Sequence, residues 1–389
     1  MSMNTNSPTL QKHYPGLDSL RGLAVLFVFL HHYVGGYMAN DPVLNWGWVG
    51  VEIFFVLSGF LITGILFESL EAPHFFRNFY IRRTLRIFPV YYGFWALMLL
   101  LTPITRVHWD HHVVLWLFYL GNYSTTSWNL ELHGHAMTGA MIVVGHFWSL
   151  CIEEHFYMLW PLIIFAVRKR LTLQRICVGG VLLTLIARCL ITWQHPAIAY
   201  PALYTYSIAR FDAPLIGSWA ALWVRGPIPG YQRIRARACQ WGLVFLAILI
   251  GSQIVTDFVC GFPAASLPLP SIHWVTAYGF TVIDLASLCL LFLCLDATSF
   301  FSRLLDVLHL RRLGKISYGF YVIHMLYFDF AKNYYGRFAR HNLAIEFVVG
   351  CFLLTYLLAE LSYRYYETPF LRLKDRWAKK PKGIMTEPI

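Results

Sequence analysis

Ten predominantly apolar stretches, at 20–38, 48–67, 87–103, 147–167, 176–193, 203–224, 240–256, 273–295, 316–332 and 343–362, are each about long enough to carry a helix across a bilayer. In hydrocarbon a backbone must satisfy its own hydrogen bonds, and a run of this length does so only as an α-helix. The expected fold is therefore all-α, a polytopic transmembrane bundle of about ten spans. Hydrophobic residues make up 58% of the chain and charged ones only 13%, which excludes an ordinary soluble enzyme. A net charge of +11 raises nucleic acid as a partner. The basic residues, however, fall in short clusters between apolar runs, so no nucleic acid is expected.

Those clusters also set an orientation. Lys12 and Arg21, the Arg77–Arg86 group, the Arg168–Arg175 group, the Arg225–Arg237 group, the Arg303–Lys315 group and the residues from Arg364 to Lys382 all fall on one side of a ten-span chain. Arg106, Lys332, Arg337 and Arg340 fall on the other, and Arg188 and Arg210 lie within spans. Basic loops stay inside, so both termini are expected in the cytoplasm. An eleventh run, 112–121, would reverse every later cluster if it spanned, and is expected to be interfacial or re-entrant. The division is a cytoplasmic tail at 1–18, a membrane domain at 19–363 and a basic cytoplasmic tail at 364–389. No cleavable signal follows the first run, which is expected to remain as a span. The eight cysteines form no CxxC pair, and the histidines and acids of HWDHH (108–112) and ELHGH (131–135) have no fixed ligand spacing, so neither a disulfide framework nor a metal site is expected.

Ionisable side chains within spans are costly and mark cavities. RGLAVLFVFLHH opens the first span; Arg21 and His32 are eleven residues apart, about three turns and ~16 Å, and share a helix face, while His31 is rotated by about 80°. HFWSLCIEEHFYMLWP lines up His146, Ser149, Glu153, Tyr157 and Trp160 as one stripe. Glu153 lies at a depth similar to His32, where a carboxylate would raise imidazole basicity or simply bond a neighbouring helix. TYSIARFDAPLIG holds Arg210 and Asp212 before a potential kink at Pro214; these form a buried pair, or Arg210 stabilises an oxyanion or an anionic group. Ser317, Tyr321 and His324 share a face in ISYGFYVIHM and are candidate hydrogen-bond donors to a cavity. Glu52 and Asp284 are further intramembrane acids, which either serve a cavity or, with Arg210, only balance charge. Arg83 and Arg86, in FYIRRTLRIFPVYY, are three apart and make a guanidinium face suited either to phosphate oxygens or to anionic lipid.

With these residues in view, LDSLRGLAVLFVFLHH, WVGVEIFFVLSGFLIT, FYIRRTLRIFPVYY, FWSLCIEEHFYMLWP, RFDAPLIG, GKISYGFYVIHM and YYETPFLRL resemble, in order from about residue 15 to 373, segments of the acyltransferase family 3 integral membrane proteins. These are bacterial O-acyltransferases that modify cell-envelope polysaccharides, lipopolysaccharide, peptidoglycan, Nod factors or macrolides. The family's Arg-x10-His pair falls on Arg21 and His32, its RxxR pair on Arg83 and Arg86, and its Ser-Leu-x-x-Glu segment on Ser149 and Glu153. Cys151 stands where serine is common.

The resemblance implies transfer of an acyl group, most simply acetyl, from cytoplasmic acyl-CoA to a hydroxyl of an extracytoplasmic carbohydrate or glycolipid, in the bacterial inner membrane. The resemblance and the intramembrane polar positions together give catalytic roles to His32, Glu153, Arg210 and His324, acyl-CoA binding to Arg21, Arg83 and Arg86, and substrate binding to Ser149, Tyr157, Ser317 and Tyr321. Acyl-CoA is expected as donor, with no permanently bound cofactor. Longer members add an SGNH hydrolase-like domain. None is evident in this sequence, so the acyl group is expected to pass directly to the acceptor or to a separate periplasmic protein. The rival reading is a secondary transporter or lipid or glycan flippase with a buried His/Glu/Arg relay.

Overall fold

The computed structural model describes residues 14–39, 44–105, 109, 113–123, 131–132, 142–195, 202–226, 228–260, 274–296, 299–340 and 344–377. Helix α1 (Pro15–Leu30) continues as a π-helix over His31–Ala39. It is followed by α2 (Val49–Glu68), α3 (Phe75–Thr105), the short α4 (Val113–Leu117), α5 (Trp148–Val167) and α6 (Arg170–Gln194). Then come α7 (Asp212–Val224), α8 (Ile228–Cys260), α9 (Phe280–Cys294), α10 (Phe300–Val307), α11 (Leu310–Lys315) and α12 (Ser317–Ile323). The chain closes with α13 (Phe328–Arg340), α14 (Ala344–Leu361) and α15 (Thr368–Trp377). A two-residue antiparallel pair, Glu131 with Val143 and Leu132 with Ile142, interrupts this helical pattern.

Among the described residues, eight helices, built on α1, α2, α3, α5, α6, α8, α9 and α14, are long and apolar enough to cross a membrane. The stretches at 203–224 and 316–332, read from sequence as single spans, are made of shorter pieces. In the first, a 3-10 turn at Ser207–Ala209 precedes α7, and Pro214 sits in the first turn of that helix. A first-turn proline lacks only an N–H that would have had no helical partner, so Pro214 helps to start the helix and does not kink it. In the second, α12 ends after seven residues and a turn precedes α13. The 112–121 run forms a five-residue helix, about 8 Å long and far short of spanning. By contrast α3 begins at Phe75, twelve residues before the apolar run at 87, so Arg77, Arg82, Arg83 and Arg86 are carried on helix and not in a loop.

Two close helix contacts set the bundle's centre. A Cβ on Gly59 of α2 would strike the Pro214 carbonyl oxygen of α7, and one on Gly217 would strike the Val56 carbonyl oxygen in return. The same relation joins α1 and α11: a Cβ on Gly22 would meet the Leu310 carbonyl oxygen and one on Gly314 the Asp18 carbonyl oxygen. Without a hydrophobic effect between helices in lipid, contacts of this closeness supply the packing that holds them. The outer helices are different. Only 6% of the spanning window of α8 and 22% of that of α6 is buried, against 78% for α2.

Candidate active site

Helices α1, α2, α3, α5 and α12 enclose a cavity of about 80 Å³. Its wall contains Arg21, Arg83, Arg86, Ser149, Glu153, Tyr157, Ser317 and Tyr321, so residues singled out in four separate segments of sequence are brought into one place. Each comes from a stripe made by helical periodicity: Ser149, Glu153 and Tyr157 at four-residue steps along α5, and Ser317 and Tyr321 at the same step on α12. Three guanidinium groups line the cavity against one carboxylate, an excess of positive charge suited to an anionic ligand.

Internal contacts hold these groups in position. The Arg83 guanidinium lies over the Tyr157 ring at 3.7 Å and its Nη2 is 3.8 Å from Glu153 Oε2. Tyr157 in turn hydrogen-bonds Ser58 of α2. At the other end, the Tyr321 hydroxyl donates to the His146 carbonyl oxygen (2.8 Å) and lies 2.6 Å from Ser149 Oγ. Tyr318 donates to the Ile87 carbonyl oxygen (2.9 Å), tying α12 to α3.

Four imidazoles stand beyond Tyr321. The ring centroids of His31 and His32, of His32 and His324, and of His324 and His146 are each 5.0 Å apart. His146 and His324 are buried, whereas His31 and His32 are half-buried. His324 Nδ1–H donates to the Tyr321 carbonyl oxygen at 2.6 Å, which leaves its Nε2 as the acceptor. His32 Nδ1–H donates to the Val28 carbonyl oxygen at 2.9 Å and lies 3.4 Å from that His324 Nε2. In this arrangement the basic lone pair of His32 is on Nε2. Helix α1 runs unbroken from Arg21 in the cavity to Leu30, and the π-helix that continues it places His32 at the imidazoles.

The acyltransferase domain model, that of acyltransferase family 3, matches residues 14–364. This chain belongs to that family. Among its relatives, the O-acetyltransferase OatA of Staphylococcus aureus strain NCTC 8325 is 28% identical over 369 residues, covering 92% of this chain and 57% of OatA. A putative O-acetyltransferase of S. aureus strain COL is 25% identical over 379 residues with the same coverage of both chains. The chain thus spans a little over half the length of these relatives. No solved structure gives a significant match.

The structure departs from the sequence reading of this acyltransferase-family chain in two placements. Arg210 and Asp212 do not pair with each other, and Arg210 is not part of the cavity wall. The Arg210 guanidinium pairs with Glu52 of α2 and stacks on Phe280 at 3.7 Å. Asp212 is held instead by Arg188 of α6, Nη1 to Oδ1 at 3.0 Å and Nη2 to Oδ2 at 2.6 Å, with the Thr281 hydroxyl donating to Oδ2 at 2.7 Å. Arg210, in a turn, and Asp212, two residues on at the start of α7, point apart, and each reaches a different helix. Glu153 is the second departure. It lies beside Arg83 in the cavity, while His32 is oriented by the Val28 carbonyl and His324.

Sequence reasoning gave no site role to Ser58 or Tyr318, and it placed His146 only in a stripe and a loop. A serine within the apolar VEIFFVLSGF run was the available signal for Ser58.

Proposed function

We propose that this chain is a membrane O-acyltransferase that moves an acyl group, most simply acetyl, from acyl-CoA to a hydroxyl of a carbohydrate or glycolipid on the opposite side of the bilayer. One observation carries the reading: α1 and its π-helical continuation deliver Arg21 to an arginine-lined cavity and His32, about three turns on, to a histidine pair. Family membership supports it, as do relatives whose names are O-acetyltransferases. The basic end of the bundle faces the bacterial cytoplasm by the positive-inside rule. There Arg21, Arg83 and Arg86 receive the CoA phosphates, and the pantetheine arm runs along the α1 face toward His32.

The acceptor hydroxyl gives its proton to His32 Nε2 as its oxygen bonds to the thioester carbonyl carbon. The C–S bond then breaks, and the CoA sulfur takes the proton back from His32. His324, by accepting from His32 Nδ1, keeps the basic lone pair on Nε2 throughout. Ser149 and Tyr321 stand at the passage between cavity and imidazoles, their hydroxyls bonded to each other and to the His146 carbonyl oxygen, and one of those protons turns from that carbonyl to stabilise the oxyanion. Glu153 sets the position of Arg83. Transfer ends on the acceptor itself or on a separate periplasmic protein.

The test is CoA-thiol release from acetyl-CoA by purified protein in lipid nanodiscs, with envelope glycans as acceptors. Release that depends on acceptor and disappears in His32→Ala is expected. Release at an unchanged rate in His32→Ala would overturn the reading.

A further inference from the structure

A second cavity, of about 340 Å³, opens between α6, α7, α8 and α9 and shares no residue with the first. Val181, Ile216, Trp219, Trp241, Leu288 and Phe292 are among its walls, and no charged or amide side chain is. Its volume falls at the lower end of the roughly 300–1,000 Å³ typical of small-ligand sites. The helices bounding it on the outside, α6 and α8, are among those least buried by protein. A hydrocarbon chain between them would complete a packing that the protein leaves open.

The rim of this groove says what kind of chain. Helix α6 starts at Arg170 and α8 at Ile228, while α7 ends at Val224 and α9 at Cys294, so these four termini lie at the same, basic end of the bundle. Cys177, Val178 and Ala238 line the groove near that end. Arg175 is three residues before Val178, and Arg237 is four before Trp241, so each arginine stands at the edge of the groove, one helical turn from a residue that lines it. Both are exposed, and neither forms an ion pair among the described residues. Two exposed guanidinium groups at the basic end of an apolar slot match a phosphate joined to an acyl chain.

We propose that the α6–α9 groove binds one anionic phospholipid of the leaflet at the basic end, its acyl chain against Trp219, Trp241 and Leu288 and its phosphate on Arg175 and Arg237. The site is separate from the proposed acyl-transfer path, and neither arginine belongs to that machinery.

Quenching of the groove tryptophans by brominated lipids tests this in the intact chain. Protein is placed in phosphatidylcholine nanodiscs containing a small fraction of either dibrominated phosphatidylglycerol or dibrominated phosphatidylcholine. Stronger quenching by the anionic lipid is expected, with an apparent affinity preference on the order of tenfold. The preference should be lost when Trp219→Phe and Trp241→Phe are combined, and should fall to near parity in Arg175→Ala with Arg237→Ala. Native mass spectrometry of the wild-type chain, which needs no variant, should show one retained phosphatidylglycerol that Leu288→Trp displaces. Equal quenching by the two lipids, or a preference unchanged in the double arginine variant, would overturn the proposal. Retention of phosphatidylcholine as strongly as phosphatidylglycerol would do the same.

Discussion

His32 and His324 are 292 residues apart in sequence, and they meet with Nδ1 and Nε2 separated by 3.4 Å. Each ring also bonds a carbonyl of its own helical turn, Val28 for His32 and Tyr321 for His324, so both tautomers are fixed by backbone. The two histidines should therefore respond unequally to substitution. Removing a general base costs on the order of 10²–10⁴ in rate, and His32→Ala is expected to lose kcat to that extent. His324→Phe keeps the base and only loosens its aim. A smaller fall, about 10- to 100-fold in kcat with KM for acetyl-CoA unchanged, is expected. Steady-state thiol release separates the two.

Arg83 combines a charge with a flat surface lying on Tyr157. Lysine conserves the charge but neither the planar stacking nor the forked donor set. Arg83→Lys should therefore behave more like Arg83→Ala than like wild type: KM for acetyl-CoA rises about tenfold, with a much smaller change in kcat. Titration of initial rate against acetyl-CoA concentration is the measurement. A lysine variant with wild-type KM would show that charge alone is used.

The cavity was legible in sequence because its residues obey helical periodicity along α5 and α12 and are polar where polar groups are costly. Partners across helices were not. Periodicity says which face Glu153 occupies but not which helix that face meets, and the structure sets Arg83 there in place of an imidazole. Arg210 and Asp212 illustrate the same limit: their spacing allows a mutual pair, an oxyanion site at Arg210 or charge balance of Arg210 with Glu52 and Asp284, and a 3-10 turn followed by a helix start sends them to Glu52 and Arg188. The spans at 203–224 and 316–332 were legible as apolar stretches, and their breaks were not, because hydropathy does not register a turn satisfied by buried polar partners.

Arg188 and Asp212 are both essentially inaccessible to solvent, and Arg188 also donates to the Ala209 carbonyl at 2.7 Å. Removing one member of such a pair leaves a buried charge with no counterpart, at a cost of about 3–5 kcal/mol. Asp212→Ala is expected to lower the unfolding temperature in detergent sharply. The double variant Arg188→Met with Asp212→Leu, in which neither charge remains, should recover most of the loss. Failure of the double variant to recover would mean that the bonds to Ala209 and Thr281 carry more of the stability than the ion pair does.

Gly314 tests whether the seating of α1 matters to chemistry at a distance. A Cβ there would run into the Asp18 carbonyl oxygen, and that contact is backbone to backbone, so no side-chain rotation relieves it. Overpacking of this kind costs roughly 1–3 kcal/mol, released in part by moving α1 away from α11. Because α1 carries Arg21 and leads directly into the π-helix with His32, a displacement of even about 1 Å should reduce kcat by one to two orders of magnitude although Gly314 lines neither of the two cavities described above. Gly179 of α6 is the control: a Cβ there meets nothing within 4 Å, and alanine should raise helix stability by about 0.5–1 kcal/mol with activity unchanged. Parallel thermal unfolding and thiol-release assays of Gly314→Ala and Gly179→Ala decide the matter, and equal activity in the two variants would show that α1 need not be held this closely.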